Sequence, residues 1–291
     1  MPPADGPDLD PRPFEARADG GNVLRGEASG AGPVIVQAHG ITAVRSYVTH
    51  GSKLLQRRGF TAVPYDARGH GESDPAPPGE DYDYAELARD MGAVVESQSG
   101  GERVVLAGHS MGAHTAVAYA LAEPDRVAGL VAIGPASRGQ PPKPETIAYW
   151  DGLAGGLERG GVEGFIEVYD DGSHDPRWRD VVLQLARRRL GLHRDLNAVA
   201  AALRSTTRSV PFDGLETLEA LAVPTLVVAS NDEADPGHPR AVAEEWTQRI
   251  PEARMAIEGE GESPLAWQGG KLSREIAAFC EEPTVRARLA G

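Results

Sequence analysis

Gly108-His109-Ser110-Met111-Gly112 sets a serine between two glycines, each two positions away. That G-x-S-x-G spacing has a chemical use. A sharp strand-to-helix turn holds such a serine in a strained conformation at the tip of a strand, and only glycines at both flanks let the neighbouring backbones pass so closely. The hydroxyl then lies at the N-terminus of the following helix, where the dipole favours a developing anion. Alone the pentapeptide is common. Here an apolar run at 103–107 precedes it and helical patterning to about 122 follows, the context that a nucleophilic serine needs.

The elements that must position this serine alternate along the chain. Residues 14–18 and 23–28 read as a hairpin around Asp19-Gly20-Gly21-Asn22. Short apolar runs at 34–38, 61–65, 103–107 and 127–133 read as buried parallel strands, apolar on both faces because helices cover both. Helical stretches at 46–58 and 84–97 lie between them. From 134 to 223 the alternation breaks into helical patterning alone, at 145–157, 162–169, 176–190 and 196–204. It then resumes with a strand at 224–229, a helix at 239–249, a strand at 254–258 and a helix at 272–280. This order predicts an α/β protein built on a mostly parallel, doubly wound sheet, with a helical insertion. The expected division is a core of 1–134 and 223–291 and a cap of 135–222.

Composition narrows the partners. With 291 residues and 41% hydrophobic side chains, the chain can bury a full core. A formal charge of −14 argues against nucleic acid and anionic membrane surfaces, which repel an acidic protein. Cys280 is the single cysteine, which excludes an intramolecular disulfide and a cysteine-based metal cluster. The first residues carry no basic, apolar leader, and no apolar run reaches the roughly 18 residues that span a bilayer, so a cytoplasmic protein is expected. No metal or cofactor is suggested. The expected partner is a small, fairly apolar substrate molecule.

Two further motifs sit after strands. His39-Gly40-Ile41-Thr42 follows the third, and Asp66-Ala67-Arg68-Gly69-His70-Gly71-Glu72-Ser73-Asp74 follows the fourth. With the serine turn, in this order, they resemble the α/β-hydrolase superfamily, in the branch with an H-G-x-x loop, an R-G-x-G-x-S-D loop and a helical cap. The resemblance runs from about Phe14 to Cys280. It implies an α/β-hydrolase fold with an eight-stranded sheet, Ser110 as nucleophile, and an oxyanion hole formed by the N–H groups of Ile41 and Met111. The family's acid follows the strand at 224–229. In this chain that loop holds Asp232, Glu233 and Asp235, of which Asp235 best matches the pattern of an aspartate followed by a proline-bearing loop. The family's histidine follows the last strand, where this chain reads Gly259-Glu260-Gly261-Glu262-Ser263-Pro264-Leu265. Glu262 occupies the histidine's place, and no histidine follows His238.

A serine needs a base to become a nucleophile at neutral pH. Three readings stand. In the first, Glu262 is the base and Asp235 its partner, an arrangement similar to that of sedolisin peptidases on an unrelated fold. Two adjacent carboxyl groups cannot both ionise easily, which raises one pKa. In the second, a relocated histidine serves: His238 in the acid loop, or His174 or His193 from the cap. In the third, the scaffold no longer hydrolyses and is a binding protein or a non-hydrolytic enzyme. His39 and His109 are expected to line the site, with Trp150 and Trp178 reaching it from the cap. His114, one helical turn beyond Ser110, is expected to pack beneath it. The leading function is hydrolysis of an ester, lactone or related acyl bond. A serine rather than an aspartate at the nucleophile argues against dehalogenase or epoxide-hydrolase chemistry.

Overall fold

The computed structural model describes residues 9–231, 235–259, 267 and 269–291. Its frame is an eight-stranded sheet in the order β1-β2-β4-β3-β5-β6-β7-β8. The strands are β1 (Arg12–Arg17), β2 (Val23–Gly30), β3 (Val34–Ala38), β4 (Thr61–Tyr65), β5 (Val104–His109), β6 (Val127–Ile133), β7 (Thr225–Ala229) and β8 (Arg254–Ile257). β2 runs antiparallel to β1 and to β4, and every other pairing is parallel.

The apolar runs form central strands because both of their faces are covered. Val104 and Leu106 of β5 face one core with Val36, Leu130 and Val227. Val105 and Ala107 face the other with Ile35, Val131 and Val228. Period-two alternation thus sends successive residues into two separate cores. On the first face pack α2 (Tyr84–Ser99), α3 (Met111–Ala122) and α7 (Arg240–Arg249), whose Trp246 is fully buried. On the second pack α1 (Leu54–Arg57), α8 (Gly270–Cys280) and α9 (Pro283–Leu289), through Leu55, Ile276, Phe279 and Val285.

Between β6 and β7 lie α4 (Pro144–Tyr169), α5 (Arg179–Leu190) and α6 (Leu196–Thr206), which share a core of their own around Leu153, Phe165, Leu183, Leu190 and Leu203. α4 folds back on itself at Gly161, whose φ of 59° only glycine adopts without strain. Its two arms touch backbone to backbone, since a Cβ on Gly156 would lie 2.3 Å from the Gly164 carbonyl oxygen. The layer rests on the loops after β3 and β4. Thr206 donates its hydroxyl to the Tyr82 carbonyl at 2.6 Å, the Arg194 N–H donates to the Gly71 carbonyl at 3.1 Å, and Ile41 packs into the three-helix core.

Three local expectations change. The helix expected at 46–58 is a short 3₁₀ turn at Arg45–Tyr47 followed only later by α1, because His50 and Gly51 take left-handed φ values of 48° and 74°. α5 starts at Arg179 rather than 176, with Trp178 as its N-cap. A 3₁₀ helix at Leu215–Ala220 and the terminal α9 were not foreseen. Among the described residues no helix is long and apolar enough to cross a membrane.

The loop after β4 is fixed by a buried charge cluster. Arg68, 1% exposed, makes a two-pronged bond to Asp90 of α2 at 2.7 and 2.8 Å. It also reaches Glu80 at 3.0 Å and Glu86 at 3.2 Å. Asp74 accepts from the Val23 N–H at 3.1 Å and pairs with Arg25 at 2.7 Å, so the far end of the loop is tied to β2.

Candidate active site

The turn at Ser110 has the geometry that its spacing implies. Ser110 sits at φ 52°, ψ −114°, a conformation that a non-glycine residue adopts only under strain. A Cβ on Gly108 would lie 2.2 Å from the Gly112 carbonyl carbon, and one on Gly112 would lie 2.2 Å from the Ala38 carbonyl oxygen. Both glycines are therefore required by close approach. The Ser110 N–H donates to the Ile133 carbonyl at 2.9 Å, which locks the turn to β6. Met111 opens α3, where the first N–H groups have no acceptor within the helix.

The two residues expected to form the oxyanion hole come together. Ile41 packs against the small cluster of Met111, Ala67, Tyr84 and Leu87. The peptide between Gly40 and Ile41 is held from behind by His39, which was expected to line the site but is 1% exposed. Its Nε2 accepts from the Ala67 N–H at 3.0 Å, so its proton is on Nδ1, which donates to the Gly40 carbonyl at 2.8 Å. That carbonyl shares a planar peptide with the Ile41 N–H, so His39 sets the direction in which the N–H points. Burial, and then its neighbour His70, push the His39 pKa down to about 3, so the ring stays neutral.

The loop after β7 brings an aspartate and a histidine together. Asp235-Pro236-Gly237-His238 closes as a turn, the His238 N–H donating to the Asp235 carbonyl at 3.1 Å. Proline second and glycine third suit such a turn. Closing it brings the side chains together, with His238 Nδ1 donating to Asp235 Oδ2 at 2.7 Å. Burial favours neutral His238, but the charge and hydrogen bond of Asp235 outweigh it and leave the pKa above its ordinary 6.5. Burial likewise opposes ionisation of Asp235, yet His238, His109 and Arg189 together bring its pKa down to about 2. Asp235 is the one acid candidate among the described residues, since Asp232 and Glu233 lie outside them.

His238 stands beside the serine turn. Its ring centroid is 5.0 Å from that of His109, the residue before Ser110. A Cβ on Gly134 would touch both rings, at 3.3 Å from His238 Cγ and 3.5 Å from His109 Nε2. His109 Nδ1 in turn lies beside Gly40, so this ring sits between the loop after β3 and the Asp235–His238 pair. Burial first, and His238 second, lower the His109 pKa to about 3. One donor atom each of His109, Asp235 and His238 lie within 4.8 Å of one another, a set of hard and borderline donors that could also hold a divalent cation.

Three further histidines are hydrogen-bonded elsewhere. His114 packs behind Ser110 as expected, its Nδ1–H donating to the Tyr84 hydroxyl at 2.8 Å while Nε2 accepts from the N–H groups of Ala136 and Ser137 at 3.0 and 3.2 Å. It thereby fixes the chain where it leaves β6. Of the two cap histidines weighed as bases, His174 hydrogen-bonds the Tyr169 carbonyl within its own layer at 3.0 Å. His193 accepts from the Gly71 N–H at 2.9 Å and donates to the Thr42 carbonyl at 3.2 Å, so it clamps the three-helix layer to the loops below. Both ring nitrogens of His193 and the Nε2 of His174 are thus engaged by backbone groups. Trp150 packs on the three-helix core beside Tyr149, and Trp178 is half-buried with its Nε1 shielded and unpartnered.

Glu262, which stands in the sequence where a base was expected, lies outside the described residues. The carboxylate that the structure places at this edge is Glu258, 6% exposed. Its Oε1 accepts from the Asn231 N–H at 2.6 Å and its Oε2 from Trp267 Nε1 at 2.7 Å, which ties the end of β8 to the acid loop. No local pattern in the sequence marks Glu258 for this role. The i, i+3 spacing of Asp235 and His238 across Pro-Gly is a signal that would have identified the dyad. Elsewhere, a polar hollow of about 310 Å³ lies between β2, β3, β4 and residues 44–56, lined by Arg45, Lys53, Asp66, Gln37 and Gln56, none of which belongs to the serine site.

A family model described as alpha/beta hydrolase fold matches residues 33–268. A 118-residue stretch is 35% identical to the 2-(acetamidomethylene)succinate hydrolase of Mesorhizobium japonicum, covering 40% of this chain and 41% of that protein. The chain thus spans about two fifths of the length of that curated relative. Among solved structures, a malate-bound thermophilic esterase from Thermogutta terrifontis superposes with a TM-score of 0.76 at 22% identity, covering 96% of this chain and 99% of that one. An enol-lactonase from Burkholderia xenovorans superposes with a TM-score of 0.73 at 21% identity, covering 92% and 100%.

Proposed function

We propose that this chain, which belongs to the alpha/beta hydrolase fold family, is a hydrolase that cleaves an ester, lactone or related acyl bond of a small molecule through Ser110. The observation that carries the reading is the 2.7 Å bond between His238 Nδ1 and Asp235 Oδ2 beside the strained serine turn. With Nδ1 donating to the carboxylate, the Nε2 lone pair of neutral His238 is free to take the serine proton. Ser110 then attacks the acyl carbon, the N–H groups of Ile41 and Met111 receive the oxyanion, and the leaving group takes the proton from His238. Water repeats the sequence on the acyl-enzyme. In this reading Asp235, which the sequence paired with Glu262, serves His238 instead.

The relatives support the class of bond broken. The curated relative is a hydrolase of a succinate derivative, and the superposing structures include an esterase and an enol-lactonase. We place the three-helix layer as a cap over this edge of the sheet, where helix N-termini, loops and cap meet around a substrate.

The test is p-nitrophenyl butyrate hydrolysis together with labelling by a serine-directed fluorophosphonate. Wild type is expected to turn over the ester and to label, and Ser110→Ala to do neither. Labelling that persists in Ser110→Ala, or hydrolysis unaffected by that change, sinks the assignment. If wild type neither labels nor hydrolyses at any pH from about 4 to 9, the scaffold is a binding protein or a non-hydrolytic enzyme.

A further inference from the structure

Arg189 stands apart from the other arginines of its helix. On α5, Leu183, Ala186 and Leu190 fill the three-helix core, while Arg187 turns outward to Glu163 at 2.9 Å and Arg179 pairs with Asp170. Arg189 is half-buried and, among the described residues, has no carboxylate within ion-pairing distance. Its Nε is shielded from solvent without a hydrogen-bond partner. A guanidinium with an unmet buried donor is costly, because desolvation is not repaid by a counter-charge.

The last turn of α5 is anchored over the β3 and β4 loops, since His193 and Arg194 hydrogen-bond Thr42 and Gly71 just beyond it. The Arg189 charge is also felt by Asp235, His238 and His109, all of them groups of the serine site. Asp235 cannot serve as its partner, because its bond goes to His238.

We propose that Arg189 is the anion-binding residue of this site and selects a substrate that carries a carboxylate in addition to the acyl bond to be cleaved. The proposal rests on the hydrolase reading above and names its substrate class. A planar guanidinium presents parallel N–H groups that match the two oxygens of a carboxylate. The substrate's own carboxylate supplies the counter-charge that the described residues do not, so binding satisfies the buried donor and orients the acyl group toward Ser110 in one step.

The experiment compares half-esters with their neutral counterparts: monomethyl succinate, glutarate and adipate against methyl butyrate, valerate and hexanoate, by pH-stat on the alkaline plateau of the rate. Wild type is expected to favour one half-ester over its neutral counterpart by about 10-fold or more in kcat/KM. Arg189→Met is expected to lower that ratio by about 100-fold, chiefly through KM, and Arg189→Lys to restore part of it. A wild-type preference for the neutral esters, or an unchanged ratio in Arg189→Met, overturns the proposal. If no ester is hydrolysed, which defeats the hydrolase reading alone, calorimetric titration with glutarate and adipate decides. Binding to wild type that Arg189→Met abolishes upholds the anion site, and no binding to wild type, or equal binding to both, overturns it.

Discussion

His238→Gln is expected to lower kcat/KM for p-nitrophenyl butyrate by about 10⁴-fold, to a level that the oxyanion hole and binding alone sustain. Glutamine keeps the volume and a hydrogen bond to Asp235 but cannot accept the serine proton. Glu262→Gln, in contrast, is expected to stay within about 3-fold of wild type, because in the proposed mechanism the base is the histidine held by Asp235. The reverse pattern, a collapse in Glu262→Gln with His238→Gln active, would return the base to Glu262.

The pH profile gives this prediction a sign. A general base works only when unprotonated, and Asp235 raises the His238 pKa above 6.5 against the opposing pull of burial. The rate is therefore expected to climb with pH through an apparent pKa above 6.5, rather than through the carboxylate range. In Asp235→Asn both raising influences go, leaving burial and Arg189, which lower the pKa. The ascending limb then moves to lower pH while the maximal rate falls, because the ring loses the group that fixes its tautomer. Stability follows the same linkage with opposite limits. The His238 share is complete below 6.5 and is lost as pH rises through its raised folded pKa. The Asp235 share is present above 3.8 and is lost as pH falls through about 2. A limb that lies near 4–5 in wild type and is unmoved by Asp235→Asn would contradict the dyad.

The second large effect concerns folding. Arg68→Ala is expected to lower the unfolding free energy by about 3–5 kcal/mol, because it leaves Asp90 as an uncompensated buried carboxylate. Both partners are 1% exposed and bonded in two places, so neither can turn to water without opening the packing of α2 on the loop after β4. Removing both charges in Arg68→Met with Asp90→Leu is expected to recover most of the loss, since an apolar pair of similar volume avoids the desolvation cost. Urea unfolding of the three proteins measures this directly. A loss below about 1 kcal/mol in Arg68→Ala would place the pair among weak surface bridges and remove the argument that it anchors the loop.

The serine turn was legible because its chemistry is local. Gly108 and Gly112 are demanded by backbone contacts that any strand-turn-helix of this shape makes, so their spacing around Ser110 reports the geometry wherever it occurs. The parallel strands were legible for a similar reason: β5, β6 and β7 are apolar throughout because both faces are buried, and the order of runs limits the sheet to few topologies. The broken helix at 46–58 was not, since its apolar positions suit a helix and only the left-handed turn at His50 and Gly51 decides otherwise. Likewise Glu258 reads as one of several exposed acids until Asn231 and Trp267 close on it.

The sequence by itself determined the architecture, the turn that holds Ser110 and the departure at Glu262, because each is written in residue types at fixed spacing along one stretch of chain. Only the tertiary structure decided that Asp235 belongs to His238, that His39 holds the Gly40–Ile41 peptide and is itself buried, and that the shielded Nε of Arg189 finds no partner among the described residues. Those outcomes depend on which side chains from distant segments meet and which stay buried. Hydrophobic periodicity records that an element is covered, but not what charge or hydrogen-bonding group waits on the other side.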